Sequence, residues 1–157
     1  MEYPITFTLN GVKRSVSVPA DRYLLEQLRE MGCKSVKRGC ETSGCGLCTV
    51  WMDGKPVLSC TVLAVRADGH QITTLEGLQP EAKILGGYLA DEGGEQCGYC
   101  APGLMMTLLA MEREYPDRAP TEAEIRHYLE GNLCRCSGYE SHIRAAVAYF
   151  QDKREVK

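Results

Sequence analysis

No stretch of this chain approaches the ~18 consecutive apolar residues needed to span a bilayer, so no membrane partner is expected. Basic residues are equally sparse as clusters. Lys and Arg never stand more than two together, and the formal net charge is −3. A nucleic-acid groove needs a clustered basic face, so nucleic acid is excluded as a partner. The first residues, Met1 to Phe7, hold no basic segment followed by an apolar run, and no twin-arginine pair. They carry no export signal, and a reducing cytoplasm is the expected location. Internal repeats and low-complexity tracts are also missing. What remains is 44% hydrophobic and 25% charged, the proportions of a soluble globular protein. At 157 residues there is room for one ordinary domain or two compact ones. The unusual feature is nine cysteines. In a reducing compartment they point to a metal or redox centre and away from a disulfide framework.

The first half reads as β-rich. Ile5, Phe7 and Leu9 alternate with polar neighbours, Asn10-Gly11 supplies a tight turn, and Val16 and Val18 resume the alternation. A helix follows, with Asp21 as its expected N-cap, Leu24, Leu25, Leu28 and Met31 as its apolar stripe, and Gly32 as its stop. Thr49 to Met52, Asp53-Gly54 and Pro56 to Leu58 form a second expected hairpin, and Gln71 to Leu75 a strand closing the sheet. Two hairpins, a crossing helix and a last strand suggest a small β-grasp domain.

From about Pro80 the pattern turns helical. Pro102 suits the first turn of a helix from Leu104 to about Glu114, with Leu104, Leu108 and Met111 on one face. Thr121 to Glu124 reads as a capping box opening a helix that carries Ile125, Tyr128 and Leu129 and ends at Gly131. A last helix from about Ser141 is expected to bury Ile143, Ala146, Val147 and Phe150. The boundary between the halves falls within residues 76 to 84, giving an α+β chain of domains 1–78 and 79–157.

Cys40, Cys45, Cys48 and Cys60 are spaced C-x4-C-x2-C-x11-C, the plant-type 2Fe–2S ferredoxin pattern. Two bridged irons need four thiolates converging from several directions. Three of them therefore come from a loop that curls around the cluster, and Ser43, Gly44 and Gly46 provide low bulk and positive φ. Inward-pointing amides of such a loop can hydrogen-bond the sulfurs. A structural zinc site, which usually takes two short knuckles, fits this spacing poorly.

Cys97, Cys100, Cys134 and Cys136 form a second set, C-x2-C and C-x-C. Each pair precedes an expected helix, where free amides and the positive dipole end favour thiolates. Spacing alone leaves zinc and iron–sulfur both open here. A Rieske-type centre would require two histidines on one iron. The three histidines, His70, His127 and His142, make no Cys-x-His pair and are expected at the surface. Cys33 is left over as a small apolar filler.

Residues Gly39-Cys40-Glu41-Thr42-Ser43-Gly44-Cys45-Gly46-Leu47-Cys48-Thr49-Val50 resemble the first cluster motif of the molybdenum hydroxylases, the xanthine dehydrogenase and aldehyde oxidoreductase family. Gln96 to Gly103 and Gly131 to Tyr139, the latter containing Cys134-Arg135-Cys136-Ser137-Gly138-Tyr139, resemble the second. The likeness runs from about residue 5 to 150. It implies iron–sulfur at both cysteine sets. It also implies a β-grasp, plant-type ferredoxin domain holding the more exposed cluster nearer the flavin, and a four-helix bundle holding the cluster beside the molybdopterin. Electrons would pass from molybdenum to the helical-domain cluster, then to the β-grasp cluster, then to FAD. Gln96 would hydrogen-bond the pterin, and Cys136 would be the cluster ligand closest to it. Molybdopterin and FAD are expected on partner subunits, a large molybdopterin-binding subunit and an FAD-binding one. Two departures stand out: Glu41-Thr42-Ser43-Gly44 where relatives often carry a Glu-Gly pair, and Ala101 where Thr is commoner. Both are expected to alter loop hydrogen bonding, and neither removes a ligand.

The function so implied is electron transfer within an oxidoreductase, with substrate chemistry on purines, other N-heterocycles or aldehydes taking place on the large subunit. A free-standing two-cluster ferredoxin and a zinc-stabilised interaction module are the competing readings.

Overall fold

A computed structural model describes residues 1–155; residues 156 and 157 of the expected second domain lie outside the described residues. Strands β1 (Glu2–Leu9) and β2 (Val12–Pro19) pair antiparallel. Asn10 and Gly11 make their turn at φ of 50° and 81°, the left-handed conformations a tight hairpin demands. Strands β3 (Thr49–Met52) and β4 (Lys55–Leu58) repeat the device, with Asp53 and Gly54 at 52° and 79°. Strand β5 (Gln71–Thr73) closes the sheet from its middle. It runs parallel to β1 and antiparallel to β3, so the order is β2-β1-β5-β3-β4.

Helix α1 (Leu24–Glu30) lays Leu24, Leu25 and Leu28 on one face of this sheet, against Phe7, Val18, Val50 and Ile72. Its start differs from the sequence expectation. Asp21 is not the N-cap; Tyr23 is, with no side-chain hydrogen bond. The chain from Arg22 to Leu24 is held extended by pairing with the segment 62–64: the Leu24 amide donates to the Val62 carbonyl and the Ala64 amide to that of Arg22. A distant backbone thus satisfies a donor that a cap would otherwise serve. Gly32, at φ 97°, ends the helix, and Cys33 is buried in the same core, where burial pushes its thiol pKa up.

The second half is four helices: α2 (Gln79–Asp91), α3 (Ala101–Glu114), α4 (Glu122–Tyr128) and α5 (Glu140–Glu155). The capping box forms, with Thr121 Oγ1 accepting from the Glu124 amide and Glu124 from that of Thr121. Helix α4 then stops at Leu129, before Gly131. Pro102 sits in the first turn of α3 as expected. This helix does not have one apolar face; every residue from Gly103 to Met111 is buried. It runs through the centre, with β3 on one side and α2 on another. Trp51 and Leu75 from the first half belong to the helical core, and Trp51 Nε1 donates to the Met106 carbonyl at 2.9 Å. The two halves therefore share one apolar seam.

Candidate metal centres

The loop from Gly39 to Cys48 joins α1 to β3, and Cys60 follows β4 in a short 3-10 turn. Ser43 and Gly46 carry the positive φ values, 59° and 72°; Gly44 does not. The loop's end is tied down, since the Thr49 hydroxyl donates to the Gly46 carbonyl and the Ser59 hydroxyl to that of Cys48. The four thiols interact in two pairs, Cys40 with Cys45 and Cys48 with Cys60. Cys40 is drawn down to about 6 by the Cys45 side chain, then by the amides of Thr42 and Gly44. Those are the inward amides the loop was expected to supply. Burial pushes Cys48 up to about 11.

The second set is also two pairs. Cys97 and Cys136 lie with their sulfurs 3.6 Å apart, and Cys100 pairs with Cys134. Each pair takes one member from the segment before α3 and one from the segment before α5. Burial raises Cys100 to about 12 although it caps α3, so desolvation outweighs the helix end expected to favour its thiolate. Cys134 is held down at about 7: burial opposes ionisation, and the Ser137 hydroxyl with the amides of Ser137 and Cys136 outweighs it. Metal binding must therefore expel protons from the thiols that burial keeps neutral.

Pairing fits two irons better than one zinc. Four thiolates on one zinc would lie ~3.8 Å from one another, given tetrahedral Zn–S bonds of ~2.3 Å. Among the described residues, the one trio of potential ligand atoms lying within 4.8 Å of one another is Cys100, Cys134 and His142. Neither cysteine quartet has three thiols that close. Two separated pairs suit two irons, each taking two thiolates.

The two centres meet at a glycine-lined contact. A Cβ on Gly103 would stand 2.6 Å from the Gly46 carbonyl and 2.9 Å from Leu47 Cα, and one on Gly46 would strike the Gly131 carbonyl. Across the same contact the Leu133 amide donates to the Cys45 carbonyl at 2.9 Å. Gly103→Ala is expected to cost about 1–3 kcal/mol, because backbone cannot yield as a side chain would. It should lower the melting temperature by several degrees and slow transfer between the clusters while both spectra persist. An unchanged melting temperature and transfer rate would show that the contact is slack.

Gln96 is exposed and its Nε2 donates to the Cys136 carbonyl at 3.1 Å. Cys45 and Cys48 are buried, whereas Cys97 and Cys136 are exposed, because no element of this chain covers the loops before α3 and α5. The histidines also divide. His70 and His127 are on or near the surface beside Asp53 and Glu130, but His142 is buried at 3% exposure, against the expectation. Trp51 and His142 are the residues that sequence reasoning missed. The short hydrophobic strand around Trp51 and the position of His142 six residues beyond Cys136 were the only hints.

Comparison with known proteins agrees with this geometry. Residues 7–90 match the family described as 2Fe-2S iron-sulfur cluster binding domain, and residues 74–147 match the [2Fe-2S] binding domain family. The nicotinate dehydrogenase small FeS subunit of Eubacterium barkeri is 45% identical over 148 residues, covering 92% of each chain. The xanthine dehydrogenase iron-sulfur-binding subunit of Escherichia coli O157:H7 is 45% identical over 150 residues, covering 91% of each. Quinoline 2-oxidoreductase from Pseudomonas putida 86 superposes with a TM-score of 0.89 at 38% identity, over 98% of this chain and 97% of its own. The fold and its two thiol quartets define an electron-transfer protein with two 2Fe–2S-binding domains, β-grasp then helical. More narrowly, the chain belongs to the family of small iron–sulfur subunits of the molybdenum hydroxylases, and the relatives named are parts of oxidoreductases. No helix among the described residues is long and apolar enough to cross a membrane.

Proposed function

We propose that this chain relays single electrons from a molybdopterin centre on a large partner subunit to FAD on another, in a cytoplasmic enzyme. The substrate, oxidised on the large subunit, is a purine, another N-heterocycle or an aldehyde. Cys40, Cys45, Cys48 and Cys60 hold one 2Fe–2S cluster in domain 1–78. Cys97, Cys100, Cys134 and Cys136 hold the other in domain 79–157. Each cluster, when bound, accepts and releases one electron.

The observation that carries this reading is the hydrogen bond from the Leu133 amide to the Cys45 carbonyl. It joins a ligand of the first set to the neighbour of Cys134, a ligand of the second, so a short bonded route connects the two centres. The exposed edge at Gln96, Cys97 and Cys136 supports entry there, because that edge needs a partner to exclude water from the sulfurs. Gln96, exposed beside Cys136, would present its side chain to the pterin while its Nε2 donates to the Cys136 carbonyl.

The test is to purify the chain anaerobically, assay iron, sulfide and zinc, and follow EPR during stepwise reduction. About four irons and four sulfides per chain, with two separable signals, are expected. Recovery with molybdopterin- and flavin-containing partners separates a subunit from a free-standing ferredoxin, and zinc in place of iron would overturn the relay. Gln96→Ala is expected to retain both clusters and to weaken coupling to the pterin by about 1 kcal/mol, roughly fivefold. Unchanged turnover and affinity in the assembled enzyme would remove Gln96 from that role.

A further inference from the structure

His142 sits in the first turn of α5 with its ring buried and both nitrogens engaged. Nε2 lies 2.9 Å from the Gly94 carbonyl oxygen. A carbonyl only accepts, so Nε2 carries a proton and donates. Nδ1 lies 3.5 Å from Ser137 Oγ. The same Ser137 Oγ is 3.3 Å from Cys134 Sγ, and it accepts from the Tyr139 amide at 3.2 Å. The amides of Cys136 and Ser137 also reach Cys134 Sγ, each at 3.4 Å.

Ser137 has a single hydroxyl proton and two acceptors in reach. In the neutral ring with its proton on Nε2, Nδ1 accepts. It therefore competes with the Cys134 sulfur for that proton. The ring is not itself free to act as a ligand, although it shares a 4.8 Å cluster with Cys100 and Cys134, because Nε2 is spent on Gly94 and Nδ1 faces Ser137. Its position is enforced from both sides. Gly94 approaches so closely that a Cβ there would meet His142 Cδ2 at 3.2 Å.

We propose that His142 is a positioning residue for the helical-domain cluster: its Nδ1 draws the Ser137 hydroxyl partly away from Cys134 Sγ and so keeps the reduction potential of that cluster low. A hydrogen bond to a ligand sulfur stabilises the more negative, reduced state, so weakening that bond disfavours reduction. This rests on Cys134 being a cluster ligand, as proposed above.

The measurement is the potential of the second cluster, by EPR-monitored titration of the assembled protein. His142→Gln retains a donor near the Nε2 position for Gly94 and has no acceptor at the Nδ1 position. It should release the hydroxyl to sulfur and shift the oxidised-to-reduced ratio at fixed potential by about tenfold toward the reduced form, 59 mV for one electron. Ser137→Ala should shift it the other way. In Ser137→Ala, adding His142→Gln should change nothing further, since the ring acts only through the hydroxyl. Additive shifts, or a wild-type potential in His142→Gln with the cluster intact, overturn the proposal. Should His142→Gln fail to hold the cluster, His142→Asn decides, because it keeps an acceptor near Nδ1: a potential close to wild type supports the assignment and a large shift overturns it. Absence of a second cluster from the unaltered protein would instead remove the ligand reading on which this depends.

Discussion

Replacing Cys45 by alanine is expected to abolish one cluster and leave the other, taking iron from about four to about two per chain. Cys45 is 6% exposed, and its thiol pairs with Cys40 deep in the loop before β3. Alanine offers no donor atom to replace the lost thiolate, and three remaining thiolates leave one iron short of a protein ligand. The helical-domain set shares no ligand with this loop. The contact between them is a backbone carbonyl, which alanine retains, so the second EPR signal should persist at near-native intensity. In the assembled enzyme substrate should still reduce that second centre while onward transfer stops. Two intact signals in Cys45→Ala would show that the ligand assignment is wrong.

Trp51→Ala is expected to be the most destabilising single change outside the ligands, about 3–5 kcal/mol. That is a large share of the ~5–15 kcal/mol by which a typical domain is stable. The indole is 5% exposed, its Nε1 is bonded to the Met106 carbonyl, and the Arg113 guanidinium lies 5.0 Å from the ring centroid. Truncation opens a cavity in the seam between β3 and α3, so the two halves should lose their common unfolding step. Thermal unfolding followed by circular dichroism and by the visible absorbance of the clusters should separate into two transitions. A single transition at the native midpoint would mean that the seam contributes little. Trp51→Phe should retain most of the stability, since it keeps most of the apolar area and gives up the hydrogen bond.

Local chemistry made much of the molecule readable in one dimension. Asn10-Gly11 and Asp53-Gly54 place their hairpins because few other residues adopt those φ values cheaply. Thr121 and Glu124 cap α4 because each finds its partner three residues away. Cys40, Cys45, Cys48 and Cys60 are spaced as an iron–sulfur loop requires; for the second quartet the motifs around it, and not its spacing, pointed to iron–sulfur and to the family. Asp21 failed as a cap because its helix begins against the segment 62–64, which no local pattern announces. His142, expected at the surface, is instead buried in the first turn of α5, its Nε2 bonded to the Gly94 carbonyl of another loop.

By itself, then, the sequence determined most of the elements, the turns and the kinship, and nominated the eight proposed sulfur donors, all of which depend on residues a few positions apart or on motif spelling. The tertiary structure decided which thiols lie beside which, in two pairs within each quartet, and that α3 is enclosed. It also decided that Gly46 and Gly103 bring the centres into backbone contact. These depend on approaches between segments remote along the chain, such as Trp51 to Met106 and Cys45 to Leu133, whose geometry exists only once both cores have closed around the seam.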